Sequence, residues 1–184
     1  LIARPHFRLA VITNQPYLNE GTLTIDELRA IGDNLRFKFY GSLENLLSRE
    51  AFLSIQEDYL DIEVCPHLVN ENCGCRKPNI ELFQKAIQNF GDTTLSPLSS
   101  NTFFPARIFV VGDQLSDYEA TENLRRKYPN AVVKMVLVIS RAGLGRNTNK
   151  TLKMGKKRPD KVAKNLFEAA AWISEQSPAK RYMR

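Results

Sequence analysis

The sequence predicts an α/β fold, a mostly parallel sheet with helices on its faces. Two observations carry this. Short apolar runs rich in β-branched residues, FRLAVIT at Phe7–Thr13 and RIFVVG at Arg107–Gly112, lack the polar alternation of a half-exposed strand and suit strands covered on both faces. Segments with helical apolar spacing separate such runs, so strands and helices alternate along the chain.

Taken in order, Phe7–Thr13 reads as a buried strand ending at Asn14-Gln15-Pro16. A helix starts near Thr24, with Thr24 as N-cap and Glu27 closing a capping box, and it reaches about Ile31 or beyond. Leu43–Ser54 also has helical spacing. Asp61–Cys65 reads as a second strand. Pro78 sits near the start of a helix whose apolar face is Ile80, Leu82, Phe83, Ala86, Ile87 and Phe90, with Gly91 as C-cap. Asp92–Pro105, rich in Ser, Thr and Pro, reads as a loop. Arg107–Gly112 is the strongest strand; a helix at Asp117–Tyr128 and a strand at Val132–Ser140 follow. Gly143–Lys157 is polar and basic and reads as a loop. Val162 marks a short last strand and Leu166–Ser174 a last helix. Residues 1–176 form a single domain in this reading, and Ser177–Arg184 a basic tail.

The 184 residues are 43% hydrophobic and 25% charged, enough to bury a core. No apolar run approaches the roughly 18 residues that cross a membrane, so no membrane partner is expected. The net charge is +6, and much of the excess is local. Between positions 141 and 164 stand Arg141, Arg146, Lys150, Lys153, Lys156, Lys157, Arg158, Lys161 and Lys164 against one acid, Asp160. Such a run is either a solvated face or a contact for phosphate, nucleic acid or an acidic protein. The chain starts at Leu1, not Met, so either a segment was removed or the natural start lies upstream.

All three cysteines and one of the two histidines fall in Cys65-Pro66-His67-Leu68-Val69-Asn70-Glu71-Asn72-Cys73-Gly74-Cys75. Three thiolates and an imidazole complete a tetrahedral zinc shell of the closed, structural kind. Cys-x-His and Cys-x-Cys each place two ligands close together, and the five-residue spacer lets the pairs meet. Buried thiols acting as small hydrophobes would scatter through apolar runs. Three is an odd number for disulfides, and Cys-x-Cys is too tight for an easy bridge. The usage favours a reducing compartment, the cytoplasm or an organelle matrix such as the mitochondrial one. Arg76-Lys77-Pro78 follow at once, so the loop would hold two cations in fixed places.

In a parallel α/β sheet, function gathers at the carboxyl ends of the strands. That rule selects Thr13-Asn14, Cys65 to Lys77, and Asp113. A hydroxyl, a cation and a carboxylate suit phosphoryl chemistry, where negative charge spreads over equatorial oxygens. Asp113 and Asp117, one helical turn apart, can share a hard cation such as Mg²⁺.

Ile12-Thr13-Asn14-Gln15, the Cys65–Cys75 loop with Arg76-Lys77-Pro78, and Val111-Gly112-Asp113-Gln114-Leu115-Ser116-Asp117 together resemble the haloacid dehalogenase superfamily of phosphatases, in the branch that contains histidinol-phosphate phosphatase and heptose-1,7-bisphosphate 7-phosphatase. The match spans roughly Phe7 to Glu168. It implies a Rossmann-like, haloacid dehalogenase-like parallel sheet with helices on both faces and an inserted zinc-binding loop. It also implies roles. Thr13 contacts the transferring phosphoryl group and Lys77 neutralises it; Asn14, Arg76 and Lys77 bind the substrate, a small phosphorylated metabolite. Asp113 binds Mg²⁺ with Asp117 in support, and Cys65, His67, Cys73 and Cys75 bind a structural zinc.

Two features depart from that pattern. The family's nucleophile is an Asp in an Asp-x-Asp motif on a preceding strand, and no Asp-x-Asp occurs in these 184 residues; the motif is expected upstream of Leu1. After Thr13-Asn14-Gln15, Pro16-Tyr17-Leu18-Asn19-Glu20 stands where active relatives carry a small residue, Gly and a basic residue. Three readings follow: a Mg²⁺-dependent phosphomonoesterase, a catalytically inactive phosphatase-like subunit whose missing strand comes from a protein partner in an organellar or RNA-containing assembly, and a polynucleotide 3′-phosphatase. The zinc loop speaks against the last.

Overall fold

The computed structural model describes residues 8–46, 60–89, 107–139, 144–155 and 157–176. The chain divides into two compact units, Leu1–Thr93 and Thr94–Arg184, and each holds its own parallel sheet.

In the first unit β1 (Leu9–Asn14) and β2 (Leu60–Cys65) pair in parallel, from Leu9 opposite Leu60 to Asn14 opposite Cys65. Between them lies α1 (Ile25–Leu46). Its start is the expected capping box: Glu27 N–H donates to Thr24 Oγ1 at 3.2 Å, and Thr24 N–H donates to Glu27 Oε2 at 2.8 Å. The helix runs beyond Ile31 because Gly32 is no breaker here; it is buried, 3.5 Å from Ile62 Cδ1 at its virtual Cβ. The helical spacing read at Leu43–Ser54 falls partly in α1, and its remainder lies outside the described residues.

After β2 comes α2 (Glu81–Asn89), with Leu82, Phe83 and Ala86 buried as the spacing predicts. Pro78 stands in the turn before this helix, not in its first turn; Phe90 and Gly91 lie outside the described residues. Glu63 on β2 is only 5% exposed. Lys85 Nζ and Asn89 Nδ2 of α2 donate to its carboxylate at 2.8 and 3.1 Å, which compensates the burial of the charge.

The second unit orders its strands β3 (Arg107–Gly112), β4 (Val132–Val138), β5 (Lys161–Ala163), all parallel. Its helices are α3 (Leu115–Lys127), α4 (Leu144–Met154) and α5 (Leu166–Glu175). Leu124, Met135, Val136 and Leu137 are fully buried, and burial of such a side chain contributes about 1.5–3 kcal/mol. Asn165 caps α5 by accepting from Glu168 N–H at 2.8 Å. The sole Trp, Trp172, stacks edge-to-face with Phe109 at 6.2 Å.

One expectation fails. The stretch Gly143–Lys157, read as a loop, contains α4. Its packed side is Gly145, Thr148 and Leu152, spaced i, i+3, i+7 as a helix face requires. Only one of these three is strongly apolar, so hydrophobic periodicity gave no signal. Gly145 lies hard against β4, where an added Cβ would sit 1.9 Å from the Val138 carbonyl oxygen. The expected loop Asp92–Pro105 and tail Ser177–Arg184 lie outside the described residues. Among the described residues, no helix is long and apolar enough to cross a membrane.

Candidate functional site

In the first unit the parallel register sets Asn14 beside Cys65 at the carboxyl ends of β1 and β2. Gln15 N–H continues the pairing by donating to the Cys65 carbonyl at 2.7 Å. From Cys65 the chain enters the cysteine loop. A 3-10 turn at Val69–Glu71 and a left-handed Asn72 (φ 48°) reverse it. The Glu71 carboxylate accepts from Leu68 N–H at 2.7 Å and from Asn19 Nδ2 at 2.8 Å, tying the loop to the Pro16–Leu18 turn.

Cys65, His67, Cys73 and Cys75 bring their ligand atoms within 4.8 Å of one another. The sulfur–sulfur separations are 3.5 Å (65–73), 3.1 Å (65–75) and 3.4 Å (73–75), and His67 Nδ1 lies 3.6 and 3.1 Å from Cys65 and Cys75. These are far longer than a disulfide bond of about 2.0 Å. They approach the edge of about 3.8 Å that a tetrahedron of zinc–sulfur bonds of about 2.3 Å would have. Among the described residues this is the only group of three or more ligating side chains that could close on one ion.

Packed this closely, the thiols compete for protons. Burial pushes Cys65 up. Burial, with hydrogen bonds to Cys65 and Cys73 and their like charge, pushes Cys75 up to about 12. Burial also raises Cys73, but hydrogen bonds from Cys75 and the Arg76 backbone outweigh it and bring that thiol down to about 7. A dication removes this conflict, because metal binding stabilises every ligand in its deprotonated form.

The loop then presents Arg76 and Lys77. Arg76 Nη1 donates to the His67 carbonyl at 2.7 Å, bracing the loop from within. Asn79 Nδ2 does the same at the Cys73 carbonyl, also at 2.7 Å. Lys77 is clipped to β1 by one side chain: its N–H donates to Asn14 Oδ1 at 3.0 Å, and its carbonyl accepts from Asn14 Nδ2 at 3.2 Å. Lys77 Nζ donates to the Ile12 carbonyl at 2.7 Å, next to Thr13. Gln15 Nε2 donates to Thr13 Oγ1 at 3.3 Å. The structure therefore brings together Thr13, Asn14, Arg76, Lys77 and the four cysteine-loop ligands.

In the second unit Asp113 follows β3 and lines an open cavity of about 530 Å³ with Gly112, Val138, Asn165, Leu166 and Phe167. Asp117 occupies the third position of α3 and is 5% exposed. Its Oδ2 accepts from Asp113 N–H at 3.2 Å and Gln114 N–H at 3.0 Å. Through that oxygen Asp117 holds the backbone of Asp113. A side chain at Gly112 would collide with this carboxylate. Thr148 of α4 donates to the Asp113 carbonyl at 2.9 Å. Sequence reasoning missed Thr148, since it lay in a stretch read as a loop whose hydrophobic periodicity gave no signal.

A hard carboxylate at a strand's carboxyl end suits Mg²⁺, which is usually held by one or two carboxylates, waters and substrate oxygens rather than a full protein cage.

The chain is a parallel α/β protein with polar residues at its strand ends and a Cys/His loop after β2. No family model matches the chain. Among curated proteins it is 31% identical over 121 residues to the histidine biosynthesis bifunctional protein HisB of Actinobacillus pleuropneumoniae, covering 66% of this chain and 27% of that protein. It is 30% identical over 84 residues to a probable D-glycero-D-manno-heptose-1,7-bisphosphate 7-phosphatase of Thermoplasma acidophilum, covering 46% and 44%. It is 30% identical over 122 residues to D-glycero-beta-D-manno-heptose-1,7-bisphosphate 7-phosphatase of Helicobacter pylori, covering 66% and 56%. The chain thus spans only 27% to 56% of these relatives' lengths. The crystal structure of D,D-heptose 1.7-bisphosphate phosphatase from B. bronchiseptica, complexed with magnesium and phosphate, shares the fold with a TM-score of 0.58 at 22% identity, over 92% of this chain and 75% of that one. The chain resembles this branch of the haloacid dehalogenase superfamily in sequence and has its fold.

Proposed function

We propose that the protein is a Mg²⁺-dependent phosphomonoester hydrolase acting on a small phosphorylated metabolite of the histidinol-phosphate or heptose-bisphosphate kind. The observation that carries this reading is Lys77, whose ammonium lies against the Ile12 carbonyl beside Thr13, on a loop anchored by four ligating side chains. The names of the relatives point the same way.

In this reading Lys77 and the Thr13 hydroxyl offset charge on the phosphoryl oxygens. Asp113 would hold Mg²⁺, which would supply neutralisation of phosphate charge, with Asp117 supporting Asp113 through its amide. Asn14, Arg76 and Lys77 are the residues proposed to bind the substrate, with Asn14 also positioning the Lys77 backbone. Zinc in the Cys65, His67, Cys73, Cys75 shell is structural, because four protein ligands leave no position for water. No Asp-x-Asp occurs in these residues, so the aspartate that takes the phosphoryl group lies outside them. Unbridged thiols fit a reducing cytoplasm or organelle matrix.

A second reading, a phosphatase-like subunit without catalysis, rests on the sheet edges. Among the described strands β1 pairs only with β2 and β3 only with β4, and Val111 in β3 is 38% exposed. Such edges accept a further strand, which a partner could supply.

The test is phosphate release by the full-length protein from histidinol phosphate and from heptose 1,7-bisphosphate, with Mg²⁺ added to metal-stripped protein. Lys77→Ala is expected to lower kcat/KM by about 10²–10³-fold while zinc content holds. No release from either substrate at any Mg²⁺ concentration overturns the enzyme and leaves the subunit.

A further inference from the structure

We infer that the outer face of α4 and the corner where the chain passes from α4 to β5 bind the phosphodiester backbone of a single-stranded nucleic acid. The helix has two unlike sides. Gly145, Thr148 and Leu152 are packed inward. Arg146, Lys150 and Lys153 are exposed and lie at i, i+4, i+7, a stripe about 10 Å long at about 1.5 Å per residue. The helix contains no Asp or Glu.

The chain then folds the stripe into a concavity. Gly155 N–H donates to the Thr151 carbonyl at 3.1 Å and Lys157 N–H to the Leu152 carbonyl at 2.8 Å. The latter is a six-residue closing bond that ends a helix and turns the chain back. Lys157 and Arg158 thereby join Lys153 and Asn149 around a cavity of about 630 Å³, floored by Pro159 and Val162.

The charge is not neutralised from within. Asp160, the only acid between positions 141 and 164, faces the other way: it accepts from Arg125 Nη2 at 2.5 Å and Met135 N–H at 2.8 Å. Glu168 pairs with Lys161 at 3.1 Å. Arg146, Lys150, Lys153, Lys157 and Arg158 have no carboxylate partner among the described residues. Concave, one-signed surfaces with low-dielectric walls focus the field on an anion.

The cations form a track that continues from a helix face into a cavity and do not converge on one point. A chain of phosphates matches a track; a single phosphate would leave most of it unused. No aromatic side chain lines the cavity, so base stacking adds little, and binding should depend steeply on salt and weakly on sequence.

The experiment is fluorescence anisotropy of a labelled single-stranded RNA of about 12 nucleotides, titrated with full-length protein between about 50 and 200 mM NaCl. About four phosphate contacts give a slope of log K on log salt near −3, at about −0.7 per contact. The K153A/K157A/R158A variant, altered only at exposed positions, should bind at least about tenfold more weakly and flatten the slope by about 2. Lys38→Ala, exposed on α1, should change neither. Absence of binding at the lowest salt overturns the inference, as does a triple variant that binds like its parent. If pyrophosphate or an acidic peptide of matched charge displaces the RNA at equal charge concentration, the corner is a general anion surface and the inference also fails.

Discussion

Gly112→Ala probes the logic of the Gly-Asp-x-x-x-Asp turn directly. A Cβ at position 112 would lie 2.2 Å from Asp117 Oδ2, 2.4 Å from its Cγ and 2.7 Å from its Cβ. The carboxylate can swing away, but the Asp117 Cβ moves only with α3. Swinging away forfeits the bonds to the Asp113 and Gln114 amides. Hydrogen bonds to a charged group are worth about 1.5–3 kcal/mol each, so two of them plus residual crowding give a loss of about 3–5 kcal/mol. Trp172 lies in the same unit and supplies the assay, urea unfolding followed by its fluorescence. Asp117→Ala removes the same two bonds without the collision and should cost about 3 kcal/mol. The double variant should then be little worse than the worse single one, a coupling of about 2–3 kcal/mol. Additivity within about 0.5 kcal/mol, or a Gly112→Ala loss below about 1 kcal/mol, would refute the claim that Gly112 is required because Asp117 folds over it.

Three further outcomes are expected. Cys73→Ser should lose bound zinc and melt several degrees lower, because the energy of a structural metal is folding energy; unchanged metal content and melting temperature would reject the zinc assignment. Asn14→Ala removes both bonds to the Lys77 backbone and should cost about 2 kcal/mol and speed amide exchange at Lys77, whereas Asn14→Asp keeps the acceptor for that N–H and should preserve its protection; equal exchange in all three proteins would dismiss the clip. The Glu168 carboxyl is held below its ordinary value by the Lys164 amide and then by Lys161. A carboxylate depressed in the folded state stabilises fully above its unfolded pKa of about 4.3 and loses that contribution as pH falls through the folded value. Glu168→Gln should therefore flatten the acid limb of stability followed at Trp172, and an unchanged limb would remove Glu168 from the account.

Legibility followed how local the cause was. β3 was read to the residue, because RIFVVG is an unbroken apolar run that ends in Gly112-Asp113. The Thr24–Glu27 cap and the cysteine loop were likewise readable, since each needs only residue types at short spacing. Asp117 shows the limit of such reading. Its distance from Asp113 suits a shared cation, but the same spacing defines the third position of a helix, where a carboxylate caps amides. α4 escaped because its buried face holds a glycine and a threonine, and Thr148 is buried by a bond to a backbone carbonyl that no sequence pattern names. The Asn14–Lys77 clip escaped for the same reason: both partners of Asn14 are backbone atoms 63 positions away.

Lys77 and Asp113 are fixed by one device used twice. Each has its own N–H and its own carbonyl bound by side chains: Lys77 at both by Asn14, and Asp113 by Asp117 and Thr148. Both residues sit just outside regular elements, where a backbone would otherwise wander. Holding both polar groups of the peptide fixes the Cα–Cβ direction of each residue. Positioning within about 0.5 Å is what a site for charge stabilisation demands, and a loop residue attains it only if its backbone is tied to rigid elements. The cysteine loop supplies that rigidity for Lys77, with Arg76 and Asn79 bracing its carbonyls. The packed helix α4, pressed onto β4 at Gly145, supplies it for Asp113. Within each unit, substitution of the residues that hold these backbones, Asn14 in the first and Asp117 and Gly112 in the second, is therefore expected to cost as much as substitution of Lys77 or Asp113 itself.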